Sequence, residues 1–182
     1  MSSRPVERYV DELLDRAKSG LPSGPGAPGQ VALRRSASDL YYAAFHFLID
    51  QIATQLLRTS NAQRQARHVL SRGLTHVGLR DGCKKLSAGP LTGSLAAGLP
   101  SPSPLPALPT PVRQFAVTFV ELQELRHDAD YNWNTRLAKG DVDRMVKDVR
   151  VRIQEFREVP VADPGRQWFL SALAVWPELK RR

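Results

Sequence analysis

The chain has 182 residues, with 26 Lys and Arg against 18 Asp and Glu, for a formal charge of +8. The length fits one domain of ordinary size. The basic balance suits anionic partners such as RNA, DNA, a nucleotide or an acidic protein, and selects no fold.

Cys83 is the lone cysteine, which excludes an internal disulfide framework and any cysteine-based metal cluster. Lys84 and Lys85 follow it, but nothing else nearby resembles a nucleophile site, so an inert thiol is expected. The amino-terminal stretch MSSRPVERYVDELL carries a charge every few residues and lacks the apolar core of a signal peptide. No stretch approaches the roughly 20 apolar residues of a membrane span. A cytoplasmic protein with no membrane partner, no metal and no cofactor is the expectation.

The first predicted helix runs from Pro5 to about Lys18, with Val6, Tyr9, Val10, Leu13, Leu14 and Ala17 on one face. Ser3 is placed to cap it, and Pro5 is early enough to be tolerated. Ser19-Gly20 and then Pro22, Pro25 and Pro28 end it in a loop. The second helix spans about Ala32 to Arg58. Ala37, Leu40, Tyr41, Ala44, Phe45, Leu48, Ile49, Ile52 and Leu56 recur there every three or four residues, uninterrupted by Gly or Pro. A third is expected from about Asn61 to Leu79 with Ala62, Ala66, Val69, Leu70 and Val77 inward, weakened by Gly73 and Gly78. Its polar side is basic. Arg64, Arg67, Arg72 and Arg80, then Lys84 and Lys85, form a candidate surface for RNA or another phosphate-bearing ligand.

Between Ser87 and Pro111 stand seven of the chain's fourteen prolines. Proline removes backbone donors and fixes φ, so a long, partly extended loop is expected rather than helix or central strand. A fourth helix starts around Pro111 and turns Val112, Phe115, Phe119, Leu122 and Leu125 inward. After Lys139-Gly140, Asp141 can cap a fifth, whose core positions are Val142, Met145, Val146, Val149, Ile153 and Phe156. Asp163-Pro164 is a cap and first-turn pair, followed by an apolar segment that docks as helix or extended chain until Pro177. Sustained period-two alternation and hairpin turns are absent. The expected fold is therefore all-α: one domain over 1–182, an antiparallel bundle of four to five helices with its core at about 30–158, a proline-rich loop at 87–111 and a docking segment at 163–176.

Two places put unusual polar groups on well-patterned helices. On the second helix, Asp39, Tyr42, His46 and Asp50 share one face beside the apolar stripe. At the end of the fourth stands Arg126-His127-Asp128-Ala129-Asp130-Tyr131-Asn132-Trp133. Helical spacing sets Arg126 beside Asp130, and His127 beside Asp130 and Tyr131. An arginine held by a carboxylate presents fixed donors suited to phosphate, and histidine exchanges protons near neutral pH. The same residues would equally form a structural Arg–Asp joint with Tyr131 hydrogen-bonded and Trp133 packed.

Together the two places resemble the HEPN superfamily, in particular its small prokaryotic members. These pair a helix of pattern Ser-x-x-x-Tyr-Tyr-Ala-x-Phe-His with a later Arg-x-x-Ala-Asp-Tyr strip. Here Ser36 or Ser38 leads into Tyr41-Tyr42-Ala43-Ala44-Phe45-His46, and the strip is Arg126 to Tyr131. The likeness covers roughly 30–80 and 112–158. It implies a helical bundle that forms a homodimer, with the arginine strips of both subunits near one cleft. It also implies RNA or nucleotide as ligand, or a nucleotidyltransferase-like protein as partner in a toxin–antitoxin or phage-defence setting. Many members are metal-independent ribonucleases whose motif is an arginine, four to six residues, then a histidine. This chain departs from it: Tyr131 stands after four intervening residues and His127 is adjacent to Arg126. Metal-free cleavage needs a base and a group that stabilises developing charge. Arg126 could supply the second, leaving the first to His127, Tyr131 or, more remotely, His46. The first expectation is accordingly a HEPN-like module that binds without cutting, and the alternative is a ribonuclease using Arg126 with His127 or Tyr131.

Overall fold

In the computed structural model the described residues are 5–21, 29–57, 63–89 and 105–181. They form eight helices and no strand: α1 (Pro5–Ser19), α2 (Gln30–Leu56), α3 (Arg64–Gly73), α4 (His76–Ala88), α5 (Thr110–Tyr131), α6 (Lys139–Glu158), α7 (Pro164–Ala174) and α8 (Trp176–Arg181). The chain is all-α, as the periodicity predicts. No helix among the described residues is long and apolar enough to cross a membrane. Ser3, Pro22, Pro25, Pro28, Arg58, Asn61 and Ala62, and the part of the proline-rich segment from Pro90 to Pro104, lie outside the described residues.

Two interleaved units contain these helices. The first holds the chain up to Phe47 together with Thr118–Gln154, and the second holds Leu48–Val117 with Glu155 onward. In the first unit α1 buries Val10, Leu13, Leu14 and Ala17, while Val6 and Tyr9, expected inside, are 36% and 46% exposed. α2 buries more than its predicted stripe. Ala43 and Phe47 are as enclosed as Leu40, Tyr41 and Ala44, so this stretch is apolar nearly all round, the pattern of a helix packed on several sides. α5 contributes Phe119, Leu122 and Ala129, and α6 contributes Val142, Met145, Val146, Val149 and Ile153. Tyr41 lies 5.7 Å from Phe119, ring centre to ring centre.

Helix directions in this unit follow from the pairings. Arg16 meets Asp39, and Tyr9 meets His46 at 5.2 Å between ring centres, so α1 and α2 run antiparallel. Gln30 meets Leu137, Ser38 meets Asp130 and Tyr42 meets Arg126, so α2 and the end of α5 are antiparallel too.

In the second unit the single third helix predicted from 61 to 79 is two helices. Leu74 and Thr75 are extended, and the Thr75 hydroxyl accepts from the Gly78 amide at 3.1 Å, starting α4. A threonine so placed is a preferred cap, and the glycine before it favours termination. α3 buries none of its residues, and Val69 and Val77, expected inward, are 71% and 64% exposed. α4 then packs on α7 and α8. At Gly82 an added Cβ would stand 2.5 Å from Leu173 Cδ2 and 3.2 Å from the Trp176 ring.

The carboxyl-terminal segment is helical, and Pro177 lies in the first turn of α8 rather than ending the segment. The missing proline amide is one the first turn leaves free anyway. Asp163 caps α7 as predicted, its carboxylate accepting from the Arg166 amide at 2.8 Å. α6 begins at Lys139, two residues before the predicted Asp141 cap, and carries Gly140 and Asp141 in its first turn. Arg166 is buried, with its guanidinium donating to the Val159 carbonyl and, at 2.8 Å, to Gln51 Oε1. It also lies 5.2 Å over the Phe156 ring. Burial lowers its pKa, opposed by the charge of Asp163. Cys83 is fully buried, and burial pushes its thiol far above the ordinary value despite Lys84 and Lys85.

Gly165 admits the segment around Ala107 and Pro109 against α7: a Cβ there would stand 2.1 Å from the Ala107 carbonyl oxygen. Gly165→Ala should therefore cost about 1–3 kcal/mol in denaturant unfolding. Gly140→Ala, with open space around it in α6, should be neutral or stabilising by up to about 1 kcal/mol. In the same titration Cys83 should react with a thiol reagent only as the chain unfolds.

Candidate functional site

The site forms in the first unit, where one row of α2 meets the end of α5. Gln30, Arg34, Ser38, Tyr42 and His46 follow one another at intervals of four, which on a helix is a continuous stripe. Four of the five reach the α5 end or the turn after it. The Gln30 amide nitrogen donates to the Leu137 carbonyl at 3.0 Å, and its oxygen accepts from the Leu137 amide at 3.0 Å.

Arg34 is the densest contact. Nη1 donates to the Asp128 and Ala129 carbonyls at 3.0 and 2.5 Å, and Nη2 to those of Asn132 and Thr135 at 3.1 and 2.7 Å. A helix leaves its last four carbonyls without partners inside it, at the negative end of its dipole. A planar cation with several donors fits both features. The guanidinium also lies 5.5 Å from the Trp133 ring centre.

One turn on, the Ser38 hydroxyl donates to Asp130 Oδ1 at 2.8 Å. The other oxygen of that carboxylate accepts from Arg126 Nε at 2.7 Å. Arg126 Nη2 points to the Tyr42 hydroxyl at 3.4 Å, and the guanidinium lies 5.3 and 5.4 Å from the Tyr41 and Tyr42 ring centres. Its side chain is 18% exposed. Burial works against the Arg126 charge, but the Asp130 hydrogen bond and the Tyr42, Asp130 and Tyr131 electrostatics outweigh it and hold the pKa above its ordinary value.

His127 and Tyr131 stand on the neighbouring face of α5, both exposed, their ring centres 5.3 Å apart. Of the predicted partners of Asp130, Arg126 is present; His127 faces Tyr131, and Ser38, which the spacing did not single out as a ligand of the strip, takes its place. His46 is half-buried against Tyr9, Phe45 and Tyr42. Burial lowers its pKa below the ordinary 6.5. Among the described residues no hydrogen bond joins either histidine to Arg126 or Asp130. Asp39 faces α1, both its oxygens taken by Arg16, and Asp50 falls in the second unit.

The six basic candidates also belong to the second unit. Arg64, Arg67 and Arg72 lie on α3 and Arg80, Lys84 and Lys85 on α4. The break at Leu74-Thr75 means that they do not share one helical face. Arg64, Arg72, Lys84 and Lys85 are exposed, whereas Arg67 and Arg80 are half-buried and partnered. No group of three or more His, Cys, Asp or Glu side chains suited to a metal occurs among the described residues.

Sequence reasoning missed Gln30 and Arg34. The signal lay in the interval of four running from Gln30 to His46, polar at every step through an otherwise apolar helix. Comparison with protein-family models, curated proteins and solved structures returns no match.

Arg34→Ala should lower unfolding free energy by roughly 2–4 kcal/mol, since several carbonyls lose a charged donor at once. Arg34→Lys should recover little of this, because an ammonium cannot span them. The lowered pKa of His46 means that the unfolded chain takes up its proton more readily. Its contribution is then fully present above the ordinary value of 6.5 and lost as pH falls below it toward the folded pKa. Thermal melts should show His46→Gln flattening the loss of stability between pH 7 and pH 5.

Proposed function

We propose that this chain is a HEPN-like helical module that assembles as a homodimer and binds RNA or a nucleotide without cutting it. The observation that carries the reading is the commitment of Arg126. Its Nε and Nη2 are directed at Asp130 and Tyr42, and the guanidinium lies 5.3 and 5.4 Å from two adjacent tyrosine ring centres. A group that stabilises a phosphorane-like transition state must aim donors at charge that develops there. This one is aimed inward and serves to join α2 to α5. A general base within reach of the same phosphate is also needed. His127 and Tyr131 face each other, and the burial that lowers the pKa of His46 accompanies its packing among aromatic rings.

The second reading, a metal-independent ribonuclease of a toxin–antitoxin or phage-defence system, is favoured by one observation: His127, next to Arg126, and Tyr131, next to Asp130, are both exposed. In that reading a nucleotidyltransferase-like protein is the natural partner. Incubation of the purified protein with total RNA and tRNA in EDTA separates the two. No cleavage should occur, while the protein elutes as a folded dimer and retards a labelled single-stranded RNA. Cleavage by the wild type that is abolished in Arg126→Ala would replace the binding reading with the nuclease one. Arg126→Ala should in either case lose about 1–3 kcal/mol of stability, because Asp130 is left without its cation.

A further inference from the structure

At the far end of the Arg126 strip, a groove of about 1160 Å³ opens between the end of α1, the first turns of α2 and the end of α5. Its volume matches or exceeds that of ordinary small-molecule sites. Trp133 lines it and is 80% exposed, unusual for the largest apolar side chain. The indole is not loose: the Arg34 guanidinium, itself anchored on backbone carbonyls, lies 5.5 Å from its ring centre. One face of the ring is thereby backed by a cation and the other stands open. Tyr131, 65% exposed, is on the same wall.

The charges of the groove are unequal in availability. Arg34 is spent on α5, and Arg16 on Asp39. Arg35 lines the groove, is exposed, and makes no hydrogen bond or ion pair among the described residues. The two carboxylates on the walls are neutralised in place, Asp39 by Arg16 and Asp130 by Arg126 and Ser38. The net offer to a ligand is positive.

A third feature points inward. Ser36, on the groove wall, is 1% exposed and its hydroxyl has no hydrogen-bond partner. A buried hydroxyl left unpaired is costly, and a ligand acceptor entering beside Gly20, where an added Cβ would stand 2.9 Å from that oxygen, would satisfy it.

We propose that this groove is a nucleotide site, with the base stacked on the open face of Trp133, the phosphate held by Arg35, and Ser36 donating to a ligand oxygen. It rests on the binding reading above and names where the ligand sits. Aromatic platforms beside arginines are how proteins hold unpaired bases, because every base has a face to stack. The shared chemistry is a nucleoside phosphate, either free or as one residue of single-stranded RNA.

The test titrates the full-length protein with AMP and, separately, with an eight-residue oligoadenylate, followed by tryptophan fluorescence and calorimetry. Binding should quench Trp133. Trp133→Ala should weaken binding roughly ten-fold or more, as loss of one stacked base requires, and Trp133→Phe should retain most of it. Arg35→Gln should weaken binding and reduce its salt dependence by about one ion. AMP binding alone identifies a free-nucleotide site, and oligoadenylate binding alone identifies RNA. Wild-type binding that Trp133→Ala and Arg35→Gln both leave unchanged overturns this site while the binding reading stands. A wild type that binds neither probe overturns both.

Discussion

Arg34 brings one guanidinium to four carbonyls at and just beyond the end of α5, and the pairing of α2 with that end is organised around it. The carboxyl end of a helix carries partial negative charge on groups that must find a donor. Water would serve at an exposed end, but here the carbonyls of Asp128 and Ala129 meet a half-buried side chain of α2. Because the guanidinium is rigid, the contact sets both the distance and the register between the helices. Once it forms, the residues at intervals of four on either side fall opposite fixed partners: Gln30 opposite Leu137, Ser38 opposite Asp130, Tyr42 opposite Arg126.

The same register decides what Arg126 can do. Lying against two adjacent tyrosine rings and bonded to Asp130, it completes a joint of four side chains, Arg126, Asp130, Ser38 and Tyr42, from two helices. A partly buried charge is tolerated where its donors are satisfied, and Asp130 satisfies this one while being held in turn by Ser38. Such a closed network rigidifies the junction of helices. It leaves the exposed chemistry of the region to residues just outside the network, Arg35, Tyr131 and Trp133, which sit on its edge and owe their positions to it.

The charge of the chain reads differently once these contacts are known. Of the excess of Lys and Arg behind the +8, Arg34, Arg126 and Arg166 are turned toward the protein's own carbonyls, carboxylates and rings, and Arg16 and Arg150 are paired with Asp39 and Asp15. Arg166 repeats in the second unit what Arg34 does in the first, a planar cation accepted by a backbone carbonyl and an aromatic face. The pairs with Asp39, Asp130 and Asp15 take up one negative charge for each positive and leave the net +8 as it stands, whereas Arg34 and Arg166 are directed at the protein's own backbone.

The sequence by itself determined the all-α fold, most of the helices and the Arg126–Asp130 pair, because each depends on intervals of three and four along one chain. The Asp163-Pro164 start of α7 was legible for the same reason: a cap is local. The roles of Arg34 and Gln30 were decided only by the tertiary structure, since their partners are backbone groups, which every residue carries and no residue type advertises. Amphipathic pattern likewise told which side of α3 is apolar, but not that this side would remain uncovered. The exposure of Trp133, which the sequence left open between a packed joint and a functional strip, has the same origin. Burial is a property of what arrives from elsewhere in the chain, and local spacing holds no record of it.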